Sequence, residues 1–117
     1  MEIRRFRGSA VGRNRAVEYN GLVWTVATAA NGNDSVAGQT RQCLATLERS
    51  LDEAGSGKTR ILSAQIFLVD MATKPEMDEV WNAWIGPNPD HWPQRACVGA
   101  ALADGCLVEI ILLAAKS

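Results

Sequence analysis

One stretch near the end of the chain, residues 106–114, decides the fold; it reads CLVEIILLA. Side chains along a β-strand point alternately to the two faces of its sheet. One face of this stretch is wholly apolar, and the other is apolar except for Glu109. Because neither face should be left to water, the pattern predicts a strand in a sheet that is covered on both sides.

Two more strands are predicted in the second half of the chain. Residues 95–102 are small and apolar after Arg95, and a turn at residues 103–105 joins them to the last strand. Residues 61–69 are almost continuously apolar and β-branched, which indicates a well-buried strand.

The first quarter of the chain predicts an edge strand followed by a hairpin. Residues 1–7 alternate loosely between apolar and charged side chains, and residues 8–15 read as a polar loop. The pair Asn20-Gly21 then separates residues 16–19 from residues 22–28. An Asn-Gly pair between two β-prone runs is a strong signal for a two-residue hairpin turn.

Two helices are predicted between these strands. The first has Asp34 or Ser35 as its N-cap and ends near Gly55. Its apolar stripe recurs at three- and four-residue steps and comprises Val36, Thr40, Cys43, Leu44, Leu47 and Leu51. The second helix opens at Thr73, and its apolar stripe comprises Met77, Val80, Trp81 and Trp84.

The predicted order is β-β-β-α-β-α-β-β in one domain that spans residues 1–117. Six strands and two helices in a chain of this length indicate an α+β fold, a single mixed β-sheet with both helices on one face. The helices leave the other face uncovered. A second copy of the chain is its natural cover.

Composition disfavours several classes of function. The net charge of −1 disfavours binding to nucleic acid through phosphates, and no segment is long and apolar enough to span a bilayer. Three scattered cysteines and the lone His91 suggest neither a disulfide framework nor a metal site. We therefore expect a cytoplasmic protein with reduced thiols, no metal, no nucleic-acid partner and no membrane contact.

Two charged residues stand out from their apolar surroundings. Glu109 lies in the middle of the apolar last strand, where a carboxylate needs a partner or a function. Arg95 opens a strand of small residues that leave space for a ligand carboxylate. A structural ion pair between Arg95 and Glu109 and a functional site are equally compatible with the spacing.

The same residues carry a family resemblance. The run PQRACV at residues 93–98, followed by VEI at residues 108–110, resembles the C-terminal signature of the Rid (YjgF) family of imine-hydrolysing proteins. The first helix and the segment ILSAQIFLVD at residues 61–70 resemble the middle of the family, and MDEVWNAW at residues 77–84 resembles its YoaB-like branch. The likeness covers nearly the whole chain.

The resemblance implies a chorismate-mutase-like α+β protomer that forms a homotrimer with clefts between subunits. It implies hydrolytic deamination of reactive enamines and imines, such as 2-aminoacrylate, to 2-keto acids and ammonia, without an organic cofactor or metal. The alternative within this family is a trimer that binds or responds to a small carboxylate metabolite without turnover.

Site residues follow from the resemblance by position. It implies that Arg95 binds the substrate carboxylate, that the backbone of Cys97 orients the nitrogen end, and that Glu109 positions the attacking water. Asn14 stands in the N-terminal region where the family has a loop tyrosine, and it is included as a substrate-binding residue. The sequence Val26-Ala27-Thr28 replaces the family's Ser-Gly-Gln, which leaves the substrate open.

Overall fold

The computed structural model describes residues 1–117 and contains the eight predicted elements in the predicted order. Neither helix combines the length and the apolar character needed to cross a membrane. The elements are β1 (Arg4–Arg7), β2 (Asn14–Tyr19), β3 (Leu22–Thr28), α1 (Val36–Glu53), β4 (Ile61–Leu68), α2 (Lys74–Ile85), β5 (Gln94–Gly99) and β6 (Val108–Ala115).

All six strands form one sheet in the order β1-β2-β3-β6-β4-β5. β4 and β5 are parallel, while the other neighbouring pairs are antiparallel, so the predicted mixed sheet is confirmed. The parallel pair needs a crossover connection, and α2 supplies it. β6 lies between β3 and β4, as expected for the stretch with the most apolar sequence.

Both helices cover the same face of the sheet. Val108, Ile110 and Leu112 of β6 are fully buried and share one hydrophobic core with Leu47 of α1 and Met77 of α2. Ser35 is the N-cap of α1, where its hydroxyl accepts a hydrogen bond from the Gly38 N–H at 3.1 Å. The predicted placement of both helices is therefore confirmed.

The opposite face of the sheet, which we call the open face, carries apolar side chains with no layer over them. Trp24 is 41% exposed and Val98 48% exposed, and between them lie the half-buried Phe67, Ile111 and Leu113. An apolar surface of this kind usually marks a protein–protein contact. The open face is the surface that the sequence predicted would need a cover.

The last two strands are joined along the chain but are not neighbours in the sheet. β5 ends at Gly99, and the predicted strand at residues 95–102 is three residues too long at that end. The physical reason is that its partner β4 ends at Leu68, whose carbonyl accepts a final hydrogen bond from the Ala100 N–H at 3.0 Å. The chain then passes the end of β4 to reach β6.

The predicted loop at residues 8–15 is shorter than expected because Asn14 and Arg15 belong to β2. The pairing of β1 with β2 shifts register at this point. Arg15 reaches α1, where its guanidinium donates to the Ser50 hydroxyl at 3.0 Å and pairs with Glu53. The Arg15 side chain therefore ties β2 to the first helix.

Gln39, fully buried at the start of α1, ties together the loops that precede α1 and β6. Its side-chain amide donates to the Gly105 carbonyl at 2.8 Å, and its carbonyl accepts from the Leu107 N–H at 2.9 Å. At the same place the two loops touch backbone to backbone: a Cβ on Gly32 would lie 3.1 Å from the Cα of Gly105. This contact fixes where β6, and hence Glu109, enters the sheet.

Candidate functional site

Arg95 does not pair with Glu109 in the folded chain. Its side chain lies on the helix face of the sheet, where the guanidinium donates to the Asp78 carboxylate at 2.6 Å and stands 5.6 Å from the ring centre of Trp81. Of the two alternatives that the sequence left open, the structural pair with Glu109 is wrong. The ion pair that does form links Arg95 to α2.

Glu109 points to the open face, away from Arg95. Its neighbours along β6, Val108 and Ile110, are buried under the helices, so the alternation of the strand turns Glu109 to the other side. Across the sheet Glu109 is level with Thr28 of β3 and Phe67 of β4. One chain therefore does not bring Arg95 and Glu109 into a common site.

A hollow of about 640 Å³ surrounds Glu109 and includes Asn14. The residues Val26-Ala27-Thr28 line the same hollow, together with Arg13. The structure thus brings together two of the sequence-derived site residues, Asn14 and Glu109. It also places the segment in which the chain departs from the family's Ser-Gly-Gln directly beside them.

A second hollow, of about 600 Å³, adjoins Arg95 and lies between the end of α2, the loop after it and the start of β5. No sequence pattern predicted this hollow. Apart from Arg95 itself, its lining is mainly aromatic and apolar and includes Trp81, Ile85, Trp92 and Pro93. The signal available in the sequence was the concentration of proline and tryptophan just before Arg95.

Asp78 is the site residue that sequence reasoning missed. Its carboxylate accepts hydrogen bonds from Lys74 at 2.8 Å and from Arg95 at 2.6 Å. Burial tends to raise the pKa of Asp78, but the hydrogen bonds and charges of Lys74 and Arg95 outweigh it and hold that pKa below its ordinary value. Two cations face one carboxylate, so one positive charge remains uncompensated beside the second hollow.

Cys97 lies two residues beyond Arg95 on β5, at the edge of the sheet. Along a strand, the backbone N–H and C=O groups of successive residues point alternately to the two neighbouring sides. Because the Ala100 N–H bonds to Leu68 of β4, the backbone groups of the even-numbered residues of β5 face β4. The backbone N–H and C=O of Arg95 and Cys97 therefore point outward from the sheet edge. Burial raises the pKa of the Cys97 thiol despite the lowering effect of Arg95 and Lys74, so the thiol stays protonated at neutral pH.

The lowered pKa of Asp78 makes part of the stability dependent on pH. A carboxyl group whose pKa is lower in the folded than in the unfolded chain stabilises the fold above its unfolded pKa, and this contribution is lost as the pH falls through the folded pKa. We expect the difference in melting temperature between the parent and Asp78→Asn to be largest at pH 5–7 and to shrink below about pH 4.

Thermal melts between pH 3 and pH 7 measure this difference. The control is Asp104→Asn, which changes an exposed acid in the turn before β6. A difference for Asp78→Asn that stays constant over this range would contradict the assignment.

The residues present offer no metal centre. No group of three or more His, Cys, Asp or Glu side chains converges closely enough to hold a metal ion. His91 lies in a short 3-10 turn at Pro89–His91, and the three cysteines are free thiols.

Comparison with known proteins places this arrangement in a family. The family described as Endoribonuclease L-PSP matches residues 3–116. A RutC family protein of Haemophilus ducreyi is 34% identical over 99 residues, 83% of each chain. The RutC family protein YoaB of Escherichia coli is 33% identical over 100 residues, 85% of this chain and 86% of its own.

The fold agrees with these sequence relationships. The crystal structure of a YjgF family member from Neisseria meningitidis superposes on this protein with a TM-score of 0.91 and 39% sequence identity. The matched region covers 100% of this chain and 97% of the Neisseria chain. The similarity thus extends over the whole sheet and both helices. The chain therefore belongs to the Rid (YjgF) family and is related to its YoaB-like members.

Proposed function

We propose that the protein hydrolyses imines and enamines that carry a carboxylate, of the kind formed in amino-acid metabolism, to 2-keto acids and ammonia. The observation that carries this proposal is the uncompensated positive charge of Arg95 at the sheet edge. One N–H of its guanidinium bonds to Asp78 and one faces the Met77 sulfur at 4.0 Å, while the others have no partner in the chain. They are free to bind a substrate carboxylate.

The proposed site lies between two copies of the chain. Arg95 and Glu109 are on opposite faces of one sheet, so a substrate that touches both must bridge the β5 edge of one protomer and the open face of another. The bare open face, with Trp24 and Val98 exposed, gives an independent reason for association. We propose that the assembly is a homotrimer, as the family resemblance implies.

The proposed reaction needs positioning and one base. Arg95 holds the substrate carboxylate, and the outward carbonyl of Cys97 accepts a hydrogen bond from the imine N–H. Glu109 takes a proton from water as the oxygen adds to the electrophilic imine carbon, and it returns that proton to the nitrogen, which gives a carbinolamine. The hydroxyl proton of the carbinolamine then passes to the nitrogen through Glu109 as the C–N bond breaks, so ammonia leaves, the carbonyl of the 2-keto acid forms and Glu109 is again a carboxylate.

The decisive experiment measures imine loss, keto-acid formation and ammonia release together. A panel of 2-imino acids is generated in place by an amino-acid oxidase, and their decay is followed with and without the protein. The proposal predicts decay faster than spontaneous hydrolysis, with equal yields of keto acid and ammonia. If no member of the panel decays faster than in buffer, the protein does not catalyse this reaction.

The second candidate is a trimer that binds a carboxylate metabolite without turnover. It is favoured by the lining of the Glu109 hollow, where Val26 and Ala27 have no polar side-chain group with which to orient water or substrate. Under this alternative, 2-keto acids bind with Arg95-dependent affinity while imine decay stays at the spontaneous rate. Calorimetry and the decay assay together distinguish the two candidates.

Trimer formation has a direct test. We expect sedimentation equilibrium at micromolar concentration to give three times the chain mass of 12.6 kDa. Trp24→Lys, which places a charge on the open face, should shift the population to monomers, because a buried charge in an apolar contact lacks a partner. The control is Val11→Lys, in a loop where Val11 is 97% exposed. A parent protein that sediments as a monomer would remove the proposed site as well.

Cys97 is proposed to act through its backbone, and this too can be tested. We expect Cys97→Ala to retain activity within about threefold of the parent, because a thiol with a raised pKa is a poor nucleophile and the substitution keeps the outward carbonyl. Imine decay and the melting temperature are measured side by side. A variant that melts like the parent but has lost all activity would show that the thiol takes part.

A further inference from the structure

The hollow beside Arg95 has the character of a binding pocket for an apolar group. Its volume of about 600 Å³ falls in the range typical of small-molecule sites. Ile85 and Pro87 contribute to one part of its lining, and Trp92 and Pro93 to another. Arg95 is its only charged lining residue, which disfavours a ligand with a second charge inside the pocket.

Trp92 is held in place as a wall of this hollow even though it is 53% exposed. Its indole N–H donates to the Gly86 carbonyl at 2.8 Å, across the loop that closes the end of α2. Gly86 has a φ of 84°, a conformation that favours glycine, so this end of the loop is specified by the sequence. A large aromatic ring that is exposed and yet fixed is suited to stacking on a ligand.

The charge of Arg95 and the aromatic walls are arranged around one space. The Arg95 guanidinium lies 5.6 Å from the ring centre of Trp81, and Trp81, Trp92 and Arg95 all line the hollow. A ligand whose carboxylate binds Arg95 has its neighbouring carbon atoms at the mouth of the hollow. A methylene-sized group would leave most of the hollow filled with water, while an aromatic ring would displace that water and bury its own apolar surface.

We infer that this hollow is the side-chain subsite and that the protein prefers 2-imino and 2-keto acids with a bulky apolar side chain, above all an aromatic one. This inference rests on the proposed function for the role of Arg95. It names a substrate class different from 2-aminoacrylate, whose methylene group makes little use of such a hollow. Acidic and basic side chains are disfavoured because the hollow has no second cation and no carboxylate.

Isothermal titration of the parent protein with phenylpyruvate and with pyruvate tests the inference. We expect phenylpyruvate to bind about tenfold more tightly or better, since both share the carboxylate and only one carries the ring. Trp92→Ala should remove most of this preference by weakening phenylpyruvate binding far more than pyruvate binding, while Trp92→Phe should retain part of it. Tyr19→Ala, an exposed aromatic near the opposite edge of the sheet, is the matched control and should keep the full preference.

Equal affinity for the two ligands, or a preference that survives intact in Trp92→Ala, would overturn the subsite. Turnover is recorded separately in the imine-decay assay. A protein that shows the Trp92-dependent preference but no accelerated decay supports the subsite and refutes the enzymatic proposal. A protein that accelerates decay with no preference between the ligands refutes the subsite alone.

Discussion

Replacing Arg95 with alanine is expected to weaken binding of 2-keto acids and to lower kcat/KM for imines, by about 2–5 kcal/mol in either measure. The guanidinium supplies the one uncompensated positive charge beside the second hollow, and without it Lys74 and Asp78 neutralise each other. Arg95→Lys should recover little, because an ammonium group does not reproduce the planar fork of donors. Calorimetry gives the affinity, and the decay assay gives kcat/KM.

The competing explanation is that Arg95 serves only to anchor α2 through Asp78. The structure limits what such a role can contribute, because Asp78 also has Lys74 as a partner at 2.8 Å and its side chain is already 26% exposed. We expect the melting temperature of Arg95→Ala to fall modestly. The control is Arg5→Ala, an exposed arginine on β1. A large fall in melting temperature with unchanged ligand affinity would rule out the binding role.

Replacing Glu109 with glutamine is expected to lower kcat by about 10²–10⁴-fold while leaving keto-acid affinity nearly unchanged. Glutamine has the shape of glutamate but cannot take a proton from water, so the variant separates proton transfer from binding. The control is Glu79→Gln on α2, an exposed acid outside the Glu109 hollow. If Glu109→Gln turns over imines at the parent rate, Glu109 is not the base.

Mixing these two variants tests whether the site spans two protomers. We expect Arg95→Ala and Glu109→Gln each to have little activity alone, but a mixed assembly would contain contacts at which an intact Arg95 faces an intact Glu109. Random mixing of equal amounts restores roughly a quarter of the sites if each site draws one residue from each of two neighbours. If both residues came from one chain, mixing would restore nothing. Unfolding and refolding the variants together allows the chains to exchange.

Much of the fold could be predicted because local patterns and the global architecture agree. The apolar alternation of β6 indicated a strand covered on both faces, and the Asn20-Gly21 turn indicated the hairpin of β2 and β3. The capping residue Ser35 placed the start of α1. The errors occurred at strand ends, where the length of the neighbouring strand, rather than the local sequence, decides where pairing stops.

The site was less predictable because it depends on the order of strands in the sheet. From spacing alone, Arg95 and Glu109 stand on successive strands that could pair directly. In the fold β4 separates them, and the alternation along each strand turns them to opposite faces. The partner that Arg95 does have, Asp78, lies on a helix seventeen residues earlier, and no local pattern couples the two positions. The aromatic hollow likewise requires the packing of α2 against β5.

The contact between Gly32 and Gly105 has a practical consequence for engineering this protein. Both residues lie in exposed turns, which are ordinarily good places for an inserted epitope or a fluorescent label. Here either insertion would separate two backbones that touch and strain the hydrogen bonds of Gln39 to Gly105 and Leu107. A change in the length of one turn therefore calls for a compensating change in the other.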